Sequence, residues 1–436
     1  MSDKKIGLYT ATAIVIANMI GTGVFTSLGF QAAGIHSGFA IIMVWVLGGI
    51  AALTGALCYG EVGAMLPRSG GEYHYLSKIY HPAVGFISGW VSATVGFAAP
   101  VALAAFAFGD YADNVFPGIN IQHTAAAVII AISVIHSISL RAGSVFQDIS
   151  TSVKVGVILI IIAAGFIAGR SGDLGFQPTT QSWDEIKGAS FATSFFFVSL
   201  AYSGWNAAGY IASEMTNVQK NLPKALLRGT IIVMILYVLL NFIFMYTTPV
   251  AQMSNENGPV VDIAGVSAQN IFGIEGGKIM SGIIAVLLLS TISAMTIAGP
   301  RVNSVMGEDY KVLSFFAKKN KGSLPFISII FQGAVAITFV YTATFNEVLT
   351  YIAFTLNIFT LLTVLGLFIM RFKSPNAERP FKVPGYPVVP LLFLVISCWL
   401  MYFGFNMHLK ESLWGFGTAL AGLVFYFIDK LVFSKK

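Results

Sequence analysis

Charge is what this sequence has least of: 19 acidic and 25 basic side chains make up 10% of 436 residues, against 56% hydrophobic ones. A soluble domain carries about 25% charged residues. So little charge cannot keep this much apolar surface in water, and a soluble globular protein is excluded. Cysteine is scarce as well. Cys58 and Cys398 both lie deep in apolar runs and read as buried packing residues, with no hint of a disulfide or a metal site. The chain has no Cys-x-x-Cys, no His-Glu-x-x-His and no Gly-x-x-x-x-Gly-Lys, so no cofactor or metal is expected. No low-complexity tail occurs either.

Long hydrophobic runs take the place of what is missing. A helix needs about 20 apolar residues to cross a bilayer. On that scale twelve spans are expected, at approximately 7–34, 38–66, 82–109, 122–140, 149–169, 188–213, 224–248, 273–304, 325–343, 347–371, 386–407 and 413–433. The first apolar stretch runs on past Phe30, too long for a secretory signal, and is expected to be retained. Twelve spans put both termini on one side. Of the 25 Lys and Arg, Arg170, Lys187, Lys278 and Lys410 fall in loops on the opposite side and Lys154 falls within a span. The others, from Lys4 and Lys5 through Arg141, Lys319 and Lys321 to Lys435 and Lys436, lie on the side of the termini. By the positive-inside bias the termini face the cytoplasm of a plasma (inner) membrane. The net charge of +6 then follows from contact with anionic lipid, and no nucleic acid partner is implied.

Two spans are interrupted. The first contains Asn18-Met19-Ile20-Gly21-Thr22-Gly23-Val24-Phe25 and the sixth Ala201-Tyr202-Ser203-Gly204-Trp205-Asn206-Ala207. Each glycine lowers helix stability by about 1 kcal/mol, and either stretch alone reads equally well as a close-packing site for a neighbouring helix. The pairing changes that reading. Spans one and six open two five-span halves of opposite orientation, and interruptions at matching positions of inverted halves mark a midplane binding site of a transporter. The half-helix after Gly21 can aim backbone N–H groups at a carboxylate. Carbonyls of the half-helix ending near Ser203 can receive an ammonium. A zwitterion such as an amino acid suits both.

Ile20-Gly21-Thr22-Gly23-Val24-Phe25 is similar to the Ile-Gly-Ser-Gly-Ile-Phe motif of the amino acid–polyamine–organocation (APC) superfamily. Pro67-Arg68-Ser69-Gly70-Gly71-Glu72-Tyr73 resembles its second-to-third-span loop. Tyr202-Ser203-Gly204-Trp205-Asn206, Glu214-Met215 and Asn221-Leu222-Pro223-Lys224-Ala225-Leu226 resemble its sixth span and the loop beyond. Arg379-Pro380-Phe381-Lys382-Val383-Pro384-Gly385-Tyr386-Pro387 resembles a loop of the L-type amino acid transporter branch. The resemblance implies an all-α integral membrane fold, LeuT-like, of twelve transmembrane helices. It implies a five-plus-five inverted repeat with spans one and six broken. A single polytopic domain would fill 1–436, with repeats at about 7–169 and 188–371 and two extra spans at about 386–433.

It also implies that a substrate carboxylate meets N–H groups around Thr22 and Gly23, and its ammonium the carbonyls around Met19, Ile20, Leu200 and Ser203. Asn206 and Tyr237 would line or support the site. Many members carry an aromatic lid where this chain has Leu200, so Tyr202 or Trp205 would share that task. The segment from Gly109 to Gln122 lacks the cysteine by which animal L-type members bond a companion glycoprotein, so no disulfide-linked companion subunit is expected.

Lys154 sits within the fifth span. Its ammonium can snorkel to the headgroups, yet an intramembrane ionisable residue is a functional candidate by default. Sodium-independent members of the superfamily place a lysine where related symporters bind sodium. The resemblance therefore implies that Lys154 ties the fifth span to a carbonyl of the first and to hydroxyls of the eighth, with Ser290, Thr291 and Ser293 as candidates. A permanently charged Lys154 leaves an exchanger or uniporter; one that releases its proton each cycle makes a proton-coupled symporter. Glu61, Glu72, Glu214 and Arg301 are expected in structural or gating ion pairs, and the histidines form no metal-ligand pattern.

The reading is a carrier for small to medium neutral L-amino acids, since neither interrupted segment holds an acidic side chain or an arginine. A cationic amino acid or polyamine carrier is the nearest rival. A membrane-embedded enzyme would need clustered catalytic groups, absent from the sequence pattern. A channel would more often use oligomeric pore rings.

Overall fold

The computed structural model describes residues 6–138, 140–255, 258–318 and 325–433; of residues 140–150 and 255 only the backbone is described. Lys4, Lys5, Lys319, Lys321, Lys435 and Lys436 lie outside the described residues, as does the side chain of Arg141.

Lipid offers no hydrogen-bond partner, so a chain this apolar satisfies its peptide groups within helices. Ten helices among the described residues are long and apolar enough to cross a membrane, from Leu8–Ala32 and Gly38–Met65 to Val388–Met407 and Leu409–Phe433. Two shorter apolar helices, Ala189–Ala201 and Phe326–Thr342, lie at the sixth and ninth expected positions. The protein is thus an all-helical, multi-pass membrane protein of about ten to twelve spans. The fifth-position helix begins at Leu140 and merges with the expected loop before it. The third runs from Pro82 to Val115 through a π-helical stretch at Ser92–Gly96.

Helices five positions apart pack along one another. Gly38–Met65 lies against Val218–Thr247, Pro82–Val115 against Ile274–Asp309, and Ile121–Ile138 against Phe326–Thr342. The bundle has an inside and a rim: 78% of the apolar window of Pro82–Val115 is buried, against 17% for Leu409–Phe433. Cys58 is buried, as expected, but Cys398 is exposed. It sits on the outer face of Val388–Met407, where an apolar run marks contact with lipid instead of core packing.

The ion pairs hold the ends of this bundle. The Glu61 carboxylate, fully buried, takes Arg371 at 2.6 Å and Arg379 at 3.3 Å and accepts the Val383 N–H at 2.7 Å. Arg301 faces Glu214 at 3.6 Å. Glu72 departs from the expectation: it is buried with no ion pair among the described residues, and its partners are hydroxyls and an amide. Its loop folds inward as the short helix Glu72–Ile79, so the carboxylate points into the bundle.

Candidate functional site

The first helix stops at Met19 and a second starts at Thr22. Between them Ile20 is extended (φ −73°, ψ 91°) and Gly21 has φ −133°, ψ −149°. No side chain caps the second helix, so the N–H groups of its first turn, from Thr22 onward, have no intrahelical acceptor. The freed carbonyls are taken by other helices. Met19 O accepts the Tyr237 hydroxyl at 2.5 Å, and Ile20 O accepts the Lys154 ammonium at 2.9 Å.

Lys154 is 1% exposed and also donates to Thr291 Oγ1 at 2.8 Å. It therefore does not snorkel. Of the three hydroxyls considered, Thr291 alone is given to it. Ser290 bonds back to Leu287 O at 3.0 Å, and Ser293 meets His136 Nε2 at 2.8 Å. Successive helical residues turn by about 100°, so three near-adjacent hydroxyls cannot share one face.

The sixth-position helix ends at Ala201, followed by turns from Tyr202 to Asn206 and a 3-10 helix at Ala207–Glu214. Gly204 has φ 94°, and a Cβ there would lie 2.7 Å from Asn18 O. A Cβ on Gly23 would lie 2.6 Å from Ala201 Cα. The interruptions thus touch at two glycines, and Gly23 serves contact with the other helix. The Tyr237 hydroxyl spans them, reaching Ala201 O at 3.2 Å as well as Met19 O.

A cavity of about 50 Å³ lies at the junction, lined by Gly21, Thr22, Gly23, Leu200, Ser203 and Thr291 among others. A second cavity of about 260 Å³ adjoins it, with Asn18, Glu72, Ser203, Gly204, Trp205 and Asn206 in its wall. Glu72 brings a carboxylate to this wall from outside both interrupted segments. Its Oε1 accepts Tyr59 at 2.6 Å and Asn206 Nδ2 at 3.0 Å; Oε2 accepts Tyr210 at 3.3 Å. Burial raises its carboxyl above the usual carboxylate range, and these three donors pull it back.

The aromatic side chains divide differently from the expectation. Tyr202 turns away from both cavities and donates to Trp45 O at 3.0 Å, its ring 5.0 Å from Tyr237. The helix ends just before it, at Ala201, and its ring packs on the Gly38–Met65 helix, outside the lining of either cavity. Trp205 lies edge-on to Tyr59 at 4.7 Å and lines the larger cavity. Phe197 and Phe345, not anticipated, line the smaller cavity with Leu200. Phe30 bridges them, 5.2 Å from Phe197 and 6.0 Å from Phe345. Phe197 sits one helical turn before Leu200, which is the signal that could have found it.

A multi-pass helical membrane protein whose inner cavity is walled by two interrupted helices and their peptide groups belongs to the class of membrane carriers for small polar solutes. Residues 6–425 match the family model described as "Amino acid permease", and the chain is a member of that family, in the L-type branch of the APC superfamily. It is an amino acid transporter and not an enzyme. It is 30% identical over 440 residues to the b(0,+)-type amino acid transporter 1 of Homo sapiens, covering 98% of this chain and 88% of that protein. The Mus musculus protein of the same name is 29% identical over 445 residues, with the same coverages of 98% and 88%. The Large neutral amino acids transporter small subunit 2 of Mus musculus is 26% identical over 450 residues, covering 98% and 81%.

Proposed function

We propose that this transporter exchanges small to medium neutral L-amino acids by alternating access and needs no sodium. The observation that carries the reading is the junction itself. The uncapped first turn at Thr22 and Gly23 shares one cavity with Ser203 of the other interruption. Peptide N–H groups there bind the substrate carboxylate, and carbonyls around Met19, Ile20, Leu200 and Ser203 take its ammonium, through the second lone pair where the first already accepts a hydrogen bond within the protein. Asn206 and Trp205 line the space for the side chain. Lys154, between Ile20 O and Thr291 Oγ1, supplies the positive charge a sodium ion would bring to the same oxygens.

The packing of helices five positions apart supports a five-plus-five inverted repeat, with twelve spans and the two C-terminal ones outside the repeats. The basic loops favour cytoplasmic termini and the plasma (inner) membrane. Of the three mammalian relatives, two are named as b(0,+)-type transporters and one as a small subunit, a name that counts against a chain working alone; for this chain we nevertheless propose no disulfide-linked companion. Cys58 is buried and Cys398 lies in Val388–Met407, and the segment from Gly109 to Gln122 has no cysteine.

The test is counterflow with purified protein in liposomes. Trapped unlabelled alanine accelerates labelled alanine uptake, equally in sodium and in choline medium, and excess arginine does not compete. A strict sodium requirement removes the role given to Lys154. Competition by arginine at the level of alanine removes the neutral specificity.

A further inference from the structure

Glu72 is the one carboxylate of the larger cavity's wall that is fully buried and lacks an ion pair among the described residues. Three elements converge on it. Tyr59 comes from Gly38–Met65, Glu72 opens the helix Glu72–Ile79, Asn206 ends the second interruption and Tyr210 lies in the 3-10 helix that follows it. Both Glu72 oxygens are engaged as acceptors, Oε1 from Tyr59 and Asn206 and Oε2 from Tyr210, so the Asn206 amide turns its nitrogen toward the carboxyl. Nδ2 does so at 3.0 Å, and lies 3.5 Å from the Tyr210 hydroxyl, which is itself spent on Glu72 Oε2. Both holders engage the nitrogen. Asn206 Oδ1 is left with no donor among the described residues, in a side chain that lines the cavity.

We propose that Glu72 is a positioning residue that locks the Asn206 amide with its Oδ1 facing the cavity, so that the carrier favours amino acids whose side chain donates a hydrogen bond. This rests on the reading of the cavity as the place of the substrate side chain. A site built to accept from a substrate hydroxyl discriminates against an isostere lacking it, because the acceptor is then buried unpaired. With Glu72 absent the amide is free to rotate, and its NH₂ can face the cavity as readily as its oxygen.

The near-isosteres L-serine and L-2-aminobutyrate, which differ in a terminal hydroxyl against a methyl, test this in proteoliposomes holding the full chain. Wild type shows a KM for serine roughly tenfold below that for 2-aminobutyrate. Glu72→Leu brings the ratio close to one by raising the serine KM by far more than the 2-aminobutyrate KM. Glu72→Gln keeps a carbonyl acceptor at the same reach and retains most of the preference. Asn206→Ala, which deletes the acceptor itself, abolishes the preference and decides the matter should Glu72→Leu fail to fold. The proposal is overturned by an unmoved ratio in Glu72→Leu or Asn206→Ala, by both KM values rising together, or by Glu72→Gln being as damaging as Glu72→Leu. Wild type that takes up neither substrate overturns the neutral-carrier reading first, and this one with it.

Discussion

The two interruptions meet at one cavity yet are held by different means. The first is short, Ile20 and Gly21 between two helices, and cannot satisfy its own peptide groups. Side chains from elsewhere do so: Tyr237 on Met19 O and Lys154 on Ile20 O. The second runs from Tyr202 to Asn206 and satisfies itself by local turns. Ser203 N reaches Leu200 O at 2.8 Å, Ala207 N reaches Gly204 O at 3.0 Å, and Gly209 N reaches Asn206 O at 2.9 Å. A helix ending in two extended residues exposes the negative end of its dipole with nothing to turn back onto it, and there a buried ammonium is the stabilising partner. A longer break has room to fold on itself and needs only neutral donors and one left-handed glycine.

If that contrast is right, the second interruption should be most sensitive where its backbone is special and the first where its charge is. Gly204→Val has the largest expected effect. Its φ of 94° suits no β-branched residue, and a Cβ would press to 2.7 Å on Asn18 O. Exchange should be undetectable above empty liposomes although the protein still inserts; measurable exchange would mean the two segments need not touch.

Lys154→Met comes next. It leaves Ile20 O and Thr291 Oγ1 without their buried donor, at about 1–3 kcal/mol for each unsatisfied group. Initial uptake should fall roughly a hundredfold; a loss below threefold would show that the short break holds without a cation. Tyr237→Phe is the mildest of the three. It removes two hydrogen bonds, to Met19 O and Ala201 O, at about 1 kcal/mol each. Uptake roughly ten- to thirtyfold slower is expected, and parity with wild type would separate the two interruptions energetically.

Much of this arrangement is legible along the chain. Hydrophobic length alone finds the helices, because lipid forces every long apolar run to satisfy its peptide groups internally. Gly21, Gly23 and Gly204 stand out, as does Lys154, since a glycine or a charge in such a run costs stability unless something compensates. Three things were not legible. Which hydroxyl meets Lys154 depends on helix rotation, which places Thr291 and not Ser290 or Ser293 toward it. The direction of Tyr202 depends on the backbone after it, where periodicity has ended. Glu72 lies in a loop with no period at all, and only the inward fold of Glu72–Ile79 turns an expected structural or gating ion pair into a buried carboxylate beside the cavity.

Composition and order along the chain by themselves determined that this protein lives in a bilayer, where its helices run and where two of them break, since those are properties of local segments and their solvent. What faces what was decided only by tertiary structure. Packing set Gly23 on Ala201, Gly204 on Asn18 and Glu72 on Asn206, because contacts between helices depend on rotation and depth, and neither is written in the spacing of residues on one helix.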